Sequence, residues 1–307
     1  MDSSHARFVY LKLFFTAIFW GGTFIAGRVV AKDMQPFSAA LLRFALASVL
    51  LLFFTWRIEG NWPKLKKRQI MPVILLGMTG IFTYNVFFFK GLKIIPAGRA
   101  ALIVATNPIF ISLIAAYFFQ EKLNLIKVTG IILSVFGAII VISRGHLNEI
   151  LTGSFGLGEF YIFCCVMSWV AYSLIGKAIM TQLSPLVSVT YSSVVGAFGL
   201  LLPAYFEGIL REFSHFTKFD WIGIFYLGFF GTVLGFLWYY EGIKNIGATK
   251  TSLFINFVPI SAILLAFFIL GEPITQSLFI GTILISSGVY LTNSKTLRIN
   301  QKSLFIR

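Results

Sequence analysis

One stretch of this chain is written twice. Gly91, Lys93, Ala97, Pro108, Glu121, Gly130 and Gly137 recur in order, without a gap, as Gly242, Lys244, Ala248, Pro259, Glu272, Gly281 and Gly288, each 151 positions on. Leu76-Gly77-Met78-Thr79-Gly80 returns at the same spacing as Leu227-Gly228-Phe229-Phe230-Gly231, and Trp20, Gly27 and Pro36 return as Trp169, Gly176 and Pro185 at a spacing of 149. A length difference of two residues in the loop after the second or seventh helix reconciles the spacings. Both copies lie in almost unbroken apolar sequence. A duplicated membrane unit with a proline inside matching helices is the usual signature of a secondary transporter.

Only 12% of the 307 residues are charged, 58% are hydrophobic, and the mean hydropathy is +0.88. A soluble domain carries about 25% charged residues. This chain cannot cover a surface with polar groups, so its solvent is lipid. A helix needs roughly 20 apolar residues to cross the hydrocarbon core, and ten segments qualify: about 8–30, 37–56, 70–90, 97–119, 125–143, 158–179, 186–206, 221–243, 248–270 and 275–293. They are continuous runs, unlike the alternating strands of about 10 residues that build a membrane barrel. The first is too long for a signal-peptide core and holds Trp20-Gly21-Gly22 at its middle, so it is expected to be retained.

Each half has five spans, an odd number, so the second half must start on the opposite side from the first. The expected fold is an all-α membrane protein of ten transmembrane helices, arranged as two inverted-topology five-helix repeats. The repeats cover 8–143 and 158–293, joined by the polar, glycine-bearing linker His146–Gly158 and followed by a basic tail, 294–307.

The net charge of +14 invites a nucleic-acid reading, which its distribution excludes. Arg57, Lys64, Lys66, Lys67 and Arg68 share one loop, and Lys295, Arg298, Lys302 and Arg307 share the tail. Alternate loops plus both termini hold 16 of the 25 Lys and Arg, the opposite set holds 8, and Arg43 lies inside a helix. Basic loops stay cytoplasmic, so both termini are expected there, in a bacterial inner membrane, with the basic loops also touching anionic lipid headgroups. Cys164 and Cys165 are adjacent on a helix, point in different directions, and read as packing residues.

Pro108 and Pro259 sit near the middle of segments four and nine. Proline frees the carbonyl four residues back, here those of Val104 and Ile255, and in lipid a freed group must face protein or a water-filled cavity. Asn107 and Asn256 lie nearby. These features suit either a midplane site on two kinked helices or a pair of packing kinks. Arg43 either binds an anionic substrate group or snorkels to the interface. Its repeat partner is Ser192. Trp20, Tyr84, Trp169, Tyr172 and Trp238, with Asn85, are candidate cavity residues, because aromatics stack on flat or apolar solutes. Trp56, Trp62 and Trp221 suit an interfacial belt. Glu121 and Glu272 are either gate charges or hairpin charges beside the next helix. Gly130 with Gly137, and Gly281 with Gly288, each mark one face of a helix for close packing.

Several motifs are missing. No G-x-x-x-x-G-K-[ST], H-E-x-x-H or G-x-S-x-G occurs, no Asp lies in a span, and His5, His146 and His215 fall in tails or loops. ATP-driven transport, hydrolase chemistry and a midplane carboxylate relay therefore lack their groups. No cofactor and no metal is expected.

Trp20-Gly21, Arg43-Phe44, Asn107-Pro108, Pro259, and Glu121 and Glu272 after the fourth and ninth spans, set in ten spans and two halves, resemble the EamA-type permeases of the drug/metabolite transporter superfamily. The resemblance covers nearly the whole chain. It implies a central cavity built from the first four spans of each half, with the fifth peripheral. It also implies alternating access and movement of small metabolites, amino acids prominent among them. Arg43 and Asn107 align with Ser192 and Val258, a departure between the halves. The expected activity is secondary transport of small, amino-acid-like metabolites, as an exporter, by a monomer or homodimer. The alternatives are a membrane enzyme on lipid-linked substrates, for which Glu159, His146 and Glu149 are the sparse candidates, and a scaffold with a dry core.

Overall fold

A computed structural model describes residues 3–60, 62–107, 109–111, 113–114, 125–142, 156–180, 182–246, 251 and 253–293. Pro108, Glu121 and the 294–307 tail lie outside the described residues, as does the side chain of Asn256. Among the described residues there are helices and turns and no strand.

The helices are α1 (Ser3–Asp33), α2 (Pro36–Glu59), α3 (Lys67–Ile94), α4 (Ala97–Val104), α5 (Leu125–Ile142), α6 (Leu157–Ile179), α7 (Pro185–Glu207), α8 (Lys218–Ile246), α9 (Phe257–Leu265) and α10 (Gln276–Asn293). Six of them (α1, α2, α3, α6, α7 and α8) are long and apolar enough to cross a membrane, and the rest form shorter apolar helices. The surface matches that solvent: Phe198, Phe206, Phe219, Phe268 and Phe279 are 63–77% exposed, while Tyr172, Tyr240, Phe44, Phe88 and Phe89 are fully buried. Trp56, Trp62 and Trp221 are exposed near helix ends.

Local chemistry sets the boundaries. Pro36 and Pro185 occupy the first turns of α2 and α7, where no N–H is needed, and Gly60 and Gly208 end the same helices at φ of 71° and 92°. The few carboxylates sit at such termini. Glu207 Oε2 accepts from Ser38 N at 2.8 Å at the start of α2, and Glu59 accepts from Ser184 Oγ, the N-cap of α7, at 2.9 Å.

The duplicated Leu-Gly-x-x-Gly motif is where α3 and α8 widen. Gly77–Thr83 and Leu227–Leu234 are π-helical. A π turn frees carbonyls from the ordinary ladder, and polar side chains answer some of them. Thr232 Oγ1 donates to Leu227 O at 3.0 Å, and Asn85 Nδ2 donates to Ile81 O at 2.8 Å. Both π turns also come very close to a neighbouring backbone. A Cβ on Gly77 would stand 2.9 Å from Ser192 O of α7, and one on Gly228 would stand 3.1 Å from Arg43 O of α2. Any side chain at either position would force the helices apart.

α5 and α10 pack on each other through the expected glycine faces. Gly137 lies against the backbone of Ile285, Gly288 against Gly130 O, and Ser134 Oγ donates to Ile285 O at 3.0 Å. Among the described residues theirs is the most extensive helix pairing, and they make few other contacts.

Candidate functional site

The fourth and ninth segments depart from simple kinked helices. α4 stops at Val104, and the chain continues through a turn in which Thr106 N donates to Ile103 O at 3.1 Å and Ile109 N to Thr106 O at 3.0 Å, both three residues back. In the second half a 3-10 turn, Leu253–Asn256, leads into α9, and Pro259 is the third residue of that helix. The break therefore precedes Pro259, which starts a helix where its missing N–H costs nothing. Val104 and Ile255, the residues from which the prolines withdraw a partner, both line a central cavity.

That cavity lies among α1, α2, α3, α4, α6, α8 and the start of α9. Trp20, Tyr84, Phe88, Trp169 and Phe236 form most of its wall, and Arg43, Thr23 and Asn107 bring polar groups to it. The rings interlock: Trp20 meets Trp169 edge-on at 5.4 Å, Trp169 meets Phe236 at 5.2 Å and Tyr84 at 5.4 Å, and Tyr84 stacks on Phe88 at 5.9 Å. Trp20 is further fixed by donating from Nε1 to Gly231 O, in the π turn of α8, at 3.0 Å. The space left open to a water-sized sphere is about 40 Å³, room for a few waters rather than a metabolite. The side chains therefore nearly fill it.

Arg43 is 3% exposed, which rules out snorkelling. Its Nε donates to Thr232 Oγ1 at 3.0 Å and its Nη1 to Asn85 Oδ1 at 2.9 Å. Asn85 reaches Gly80 O at 3.3 Å and Ile81 O at 2.8 Å with Nδ2, so its Oδ1 must face the guanidinium. Both partners of Arg43 are neutral, and among the described residues no carboxylate pairs with it. Of the five guanidinium N–H groups, three carry no hydrogen bond to a described residue. Asn107, on the same cavity, is 1% exposed and its Oδ1 accepts no hydrogen bond from a described residue. The cavity thus offers a charged donor and a lone acceptor inside an aromatic box.

The sequence-derived candidates fall into groups. Arg43, Tyr84, Asn107, Trp20 and Trp169 line the cavity together. Asn85 does not line it; it lies beneath Arg43 and orients it. Tyr172 is fully buried behind Trp169, 5.2 Å from its ring, packed on Phe236 and Tyr240. Trp238 lies elsewhere, half-buried against Phe19 at 5.9 Å. Residues two apart on a helix point about 200° apart, so when Phe236 faces the cavity Trp238 cannot. Phe236 was legible, because it is the repeat partner of Asn85 (85 + 151 = 236). Thr232 carried no such signal.

Glu272 serves neither its own hairpin nor the helix that follows it. Its carboxylate accepts from Ala97 N at 3.0 Å and Gly98 N at 3.2 Å, capping α4 across the repeat boundary, because those N–H groups have no partner inside their own helix. Glu159 is likewise structural: it accepts from Gly156 N at 3.1 Å and from Arg99 Nη2 at 2.9 Å, as a buried ion pair between α6 and α4.

A helical bundle with an apolar, ring-studded exterior and a small aromatic-walled cavity carrying a few polar groups is a multi-pass membrane fold suited to transport. The chain belongs to the EamA-like transporter family, whose model matches it twice, at residues 7–143 and 156–294. It is 34% identical over 291 residues to the uncharacterized transporter YyaM of Bacillus subtilis, covering 95% of each chain. It is 26% identical over 288 residues to a probable terminal-alkyne amino-acid exporter of Streptantibioticus cattleyicolor, covering 93% of each. A solved crystal structure of a protein shares the fold, with a TM-score of 0.65 at 21% identity, over 91% of this chain and 96% of that one. The chain is therefore a transporter of the drug/metabolite superfamily and not an enzyme.

Proposed function

We propose that the chain exports small metabolites that join an anionic group to an apolar or aromatic body, amino acids first among them, by alternating access between two inverted five-helix repeats. The observation that carries the substrate reading is Arg43: a buried cation held by two neutral side chains, with uncommitted donors at an aromatic cavity. Burying a charge without a counter-charge is costly in a membrane, and a substrate carboxylate relieves that cost. The lone Asn107 Oδ1 suits an ammonium hydrogen on the same molecule.

The inverted arrangement is supported by contacts that exchange under the repeat. Gly77 against Ser192 becomes Gly228 against Arg43, and Tyr84 on Trp169 becomes Gly235 on Trp20. Trp20 and Trp169, themselves repeat partners, touch each other, as residues beside a pseudo-two-fold axis do. On this reading the termini share the cytoplasmic face of a bacterial inner membrane. The test is counterflow in proteoliposomes loaded with single amino acids, using labelled substrate. Uptake that depends on an internal amino acid supports the reading, and no counterflow across a panel of neutral, aromatic and acidic amino acids rejects it.

A further inference from the structure

Away from the cavity, α1 meets α8 and α3 meets α6 along two seams, and each seam is pinned near one end by a lysine. Lys12 Nζ of α1 donates to Glu241 Oε2 of α8 at 2.7 Å, with the side chains 22% and 39% exposed. Lys90 Nζ of α3 lies 5.7 Å from the centre of the Tyr161 ring of α6, and 5.5 Å from that of Phe37.

These are one contact written twice. Lys12 advanced by 149 is Tyr161, and Lys90 advanced by 151 is Glu241. Each joins a first-helix residue of one half to a third-helix residue of the other. They also lie at opposite ends of the bundle. Arg28 Nη1 donates to Leu92 O, which sets the last turns of α1 and α3 side by side, close to Lys90. Lys12 is 16 residues before Arg28, about 24 Å away at 1.5 Å per residue. Between the two contacts lie Trp20 and Trp169, on the cavity. Along each seam the lysine contact thus stands between the cavity and that end of the bundle.

We propose that Lys12–Glu241 and Lys90–Tyr161 are the two latches of the transport cycle, one at each mouth, released in alternation and both closed in the occluded state. The proposal rests on the transporter reading and adds the residues that gate it. The latches differ in kind. An ion pair at a half-exposed site is screened by salt, whereas a cation over an aromatic face keeps more of its attraction. The Lys90 end is also doubly tied, since Arg99 of α4 pairs with Glu159, two residues before Tyr161. The Lys12 mouth is therefore the weaker one and opens first.

Membrane-impermeant maleimide labelling of a single cavity cysteine reads this directly. The carrier is Val104→Cys with Cys164→Ala and Cys165→Ser, compared between intact cells and inverted vesicles, with a tag fixing the side of the N-terminus. In that background, labelling should be faster from the N-terminal face. Glu241→Gln should accelerate it from that face by about 2- to 5-fold, the range open to a half-exposed pair, and leave the other face unchanged. Lys90→Met should accelerate labelling from the opposite face only. The exchange Lys12→Glu with Glu241→Lys should return labelling toward the parent. If Glu241→Gln does not assemble, Lys12→Gln breaks the same contact from the other side and decides the matter. Equal acceleration from both faces, or none from either, overturns the proposal. Because labelling needs no substrate, a failed counterflow assay leaves this outcome readable on its own.

Discussion

The two halves share a backbone plan and differ in what they place on it. Arg43 of the first half corresponds to Ser192 of the second, Asn85 to Phe236, Tyr84 to Gly235 and Asn107 to Val258. In the first half these positions make a fixed guanidinium and an acceptor at the cavity. In the second, Phe236 and Val258 give the cavity only apolar lining, and Ser192 turns back to bond Val189 O of its own helix at 3.1 Å. The duplicated residues, by contrast, build the frame: the π turns, the prolines at helix starts and the glycines where helices cross. On the proposed alternating-access reading, duplication marks the machinery that must work from both sides, and its failures mark recognition. A symmetric cavity could not tell one end of an asymmetric solute from the other.

Removing the most asymmetric residue should have the largest effect. Arg43→Ala deletes the only cation at the cavity among the described residues and leaves Asn85 Oδ1 and Thr232 without their partner. Loss of one member of a buried charged contact costs about 2–5 kcal/mol, so counterflow kcat/KM should fall by at least about 30-fold. Retention of more than half the parental rate would remove Arg43 from the binding role.

The converse experiment perturbs the frame and spares the ligands. Gly137→Ala places a methyl 2.8 Å from Leu284 Cβ and 2.9 Å from Ile285 N, a backbone atom that cannot swing aside. Overpacking of this kind costs about 1–3 kcal/mol. Thermal unfolding in detergent should show the lower midpoint, while counterflow in the surviving protein stays near parental, because α5 and α10 stand away from the cavity wall. Lost transport at unchanged stability would put this helix pair inside the mechanism.

Asn107→Leu separates stability from function within the site. Its Oδ1 is buried without a partner among the described residues, and an unsatisfied buried acceptor costs about 1–3 kcal/mol. Replacing it with an apolar group should leave the melting temperature unchanged or raise it. Counterflow affinity should weaken by about 10-fold, one hydrogen bond to a charged group. A lower melting temperature with full transport would make Asn107 a structural residue.

Much of this was legible before any coordinates. The repeat offset and the apolar runs depend on residue types at regular spacings, and those carry over directly to helices and to the paired π turns. What escaped depended on rotation and on partners across the halves. No local rule places Glu272 at the N-terminus of α4, because the N–H groups of Ala97 and Gly98 it satisfies are 175 and 174 residues away. Nor does periodicity announce a π turn, which shifts every later residue around the helix. In α8 that shift decides which of Phe236, Trp238, Tyr239 and Tyr240 reaches the cavity, and the pattern of aromatics alone leaves the choice open.

That choice supplies the smallest effect. Trp169 and Trp238 look alike in sequence, each a tryptophan inside a long apolar span with tyrosine close behind it. Trp169 is 5% exposed, touches five other rings and lines the cavity. Trp238 touches Phe19 and is half-buried on the far side of its helix from Phe236. Substitutions away from packed or functional features usually change stability by no more than about 0.5 kcal/mol, so Trp238→Leu should leave counterflow within about twofold of parental. Trp169→Leu, which opens the box and frees its neighbours, should slow transport far more. Equal losses from both would mean that α8 turns during the cycle and brings Trp238 to the substrate, so that the face carrying Phe236 is only one of those this helix presents to the cavity.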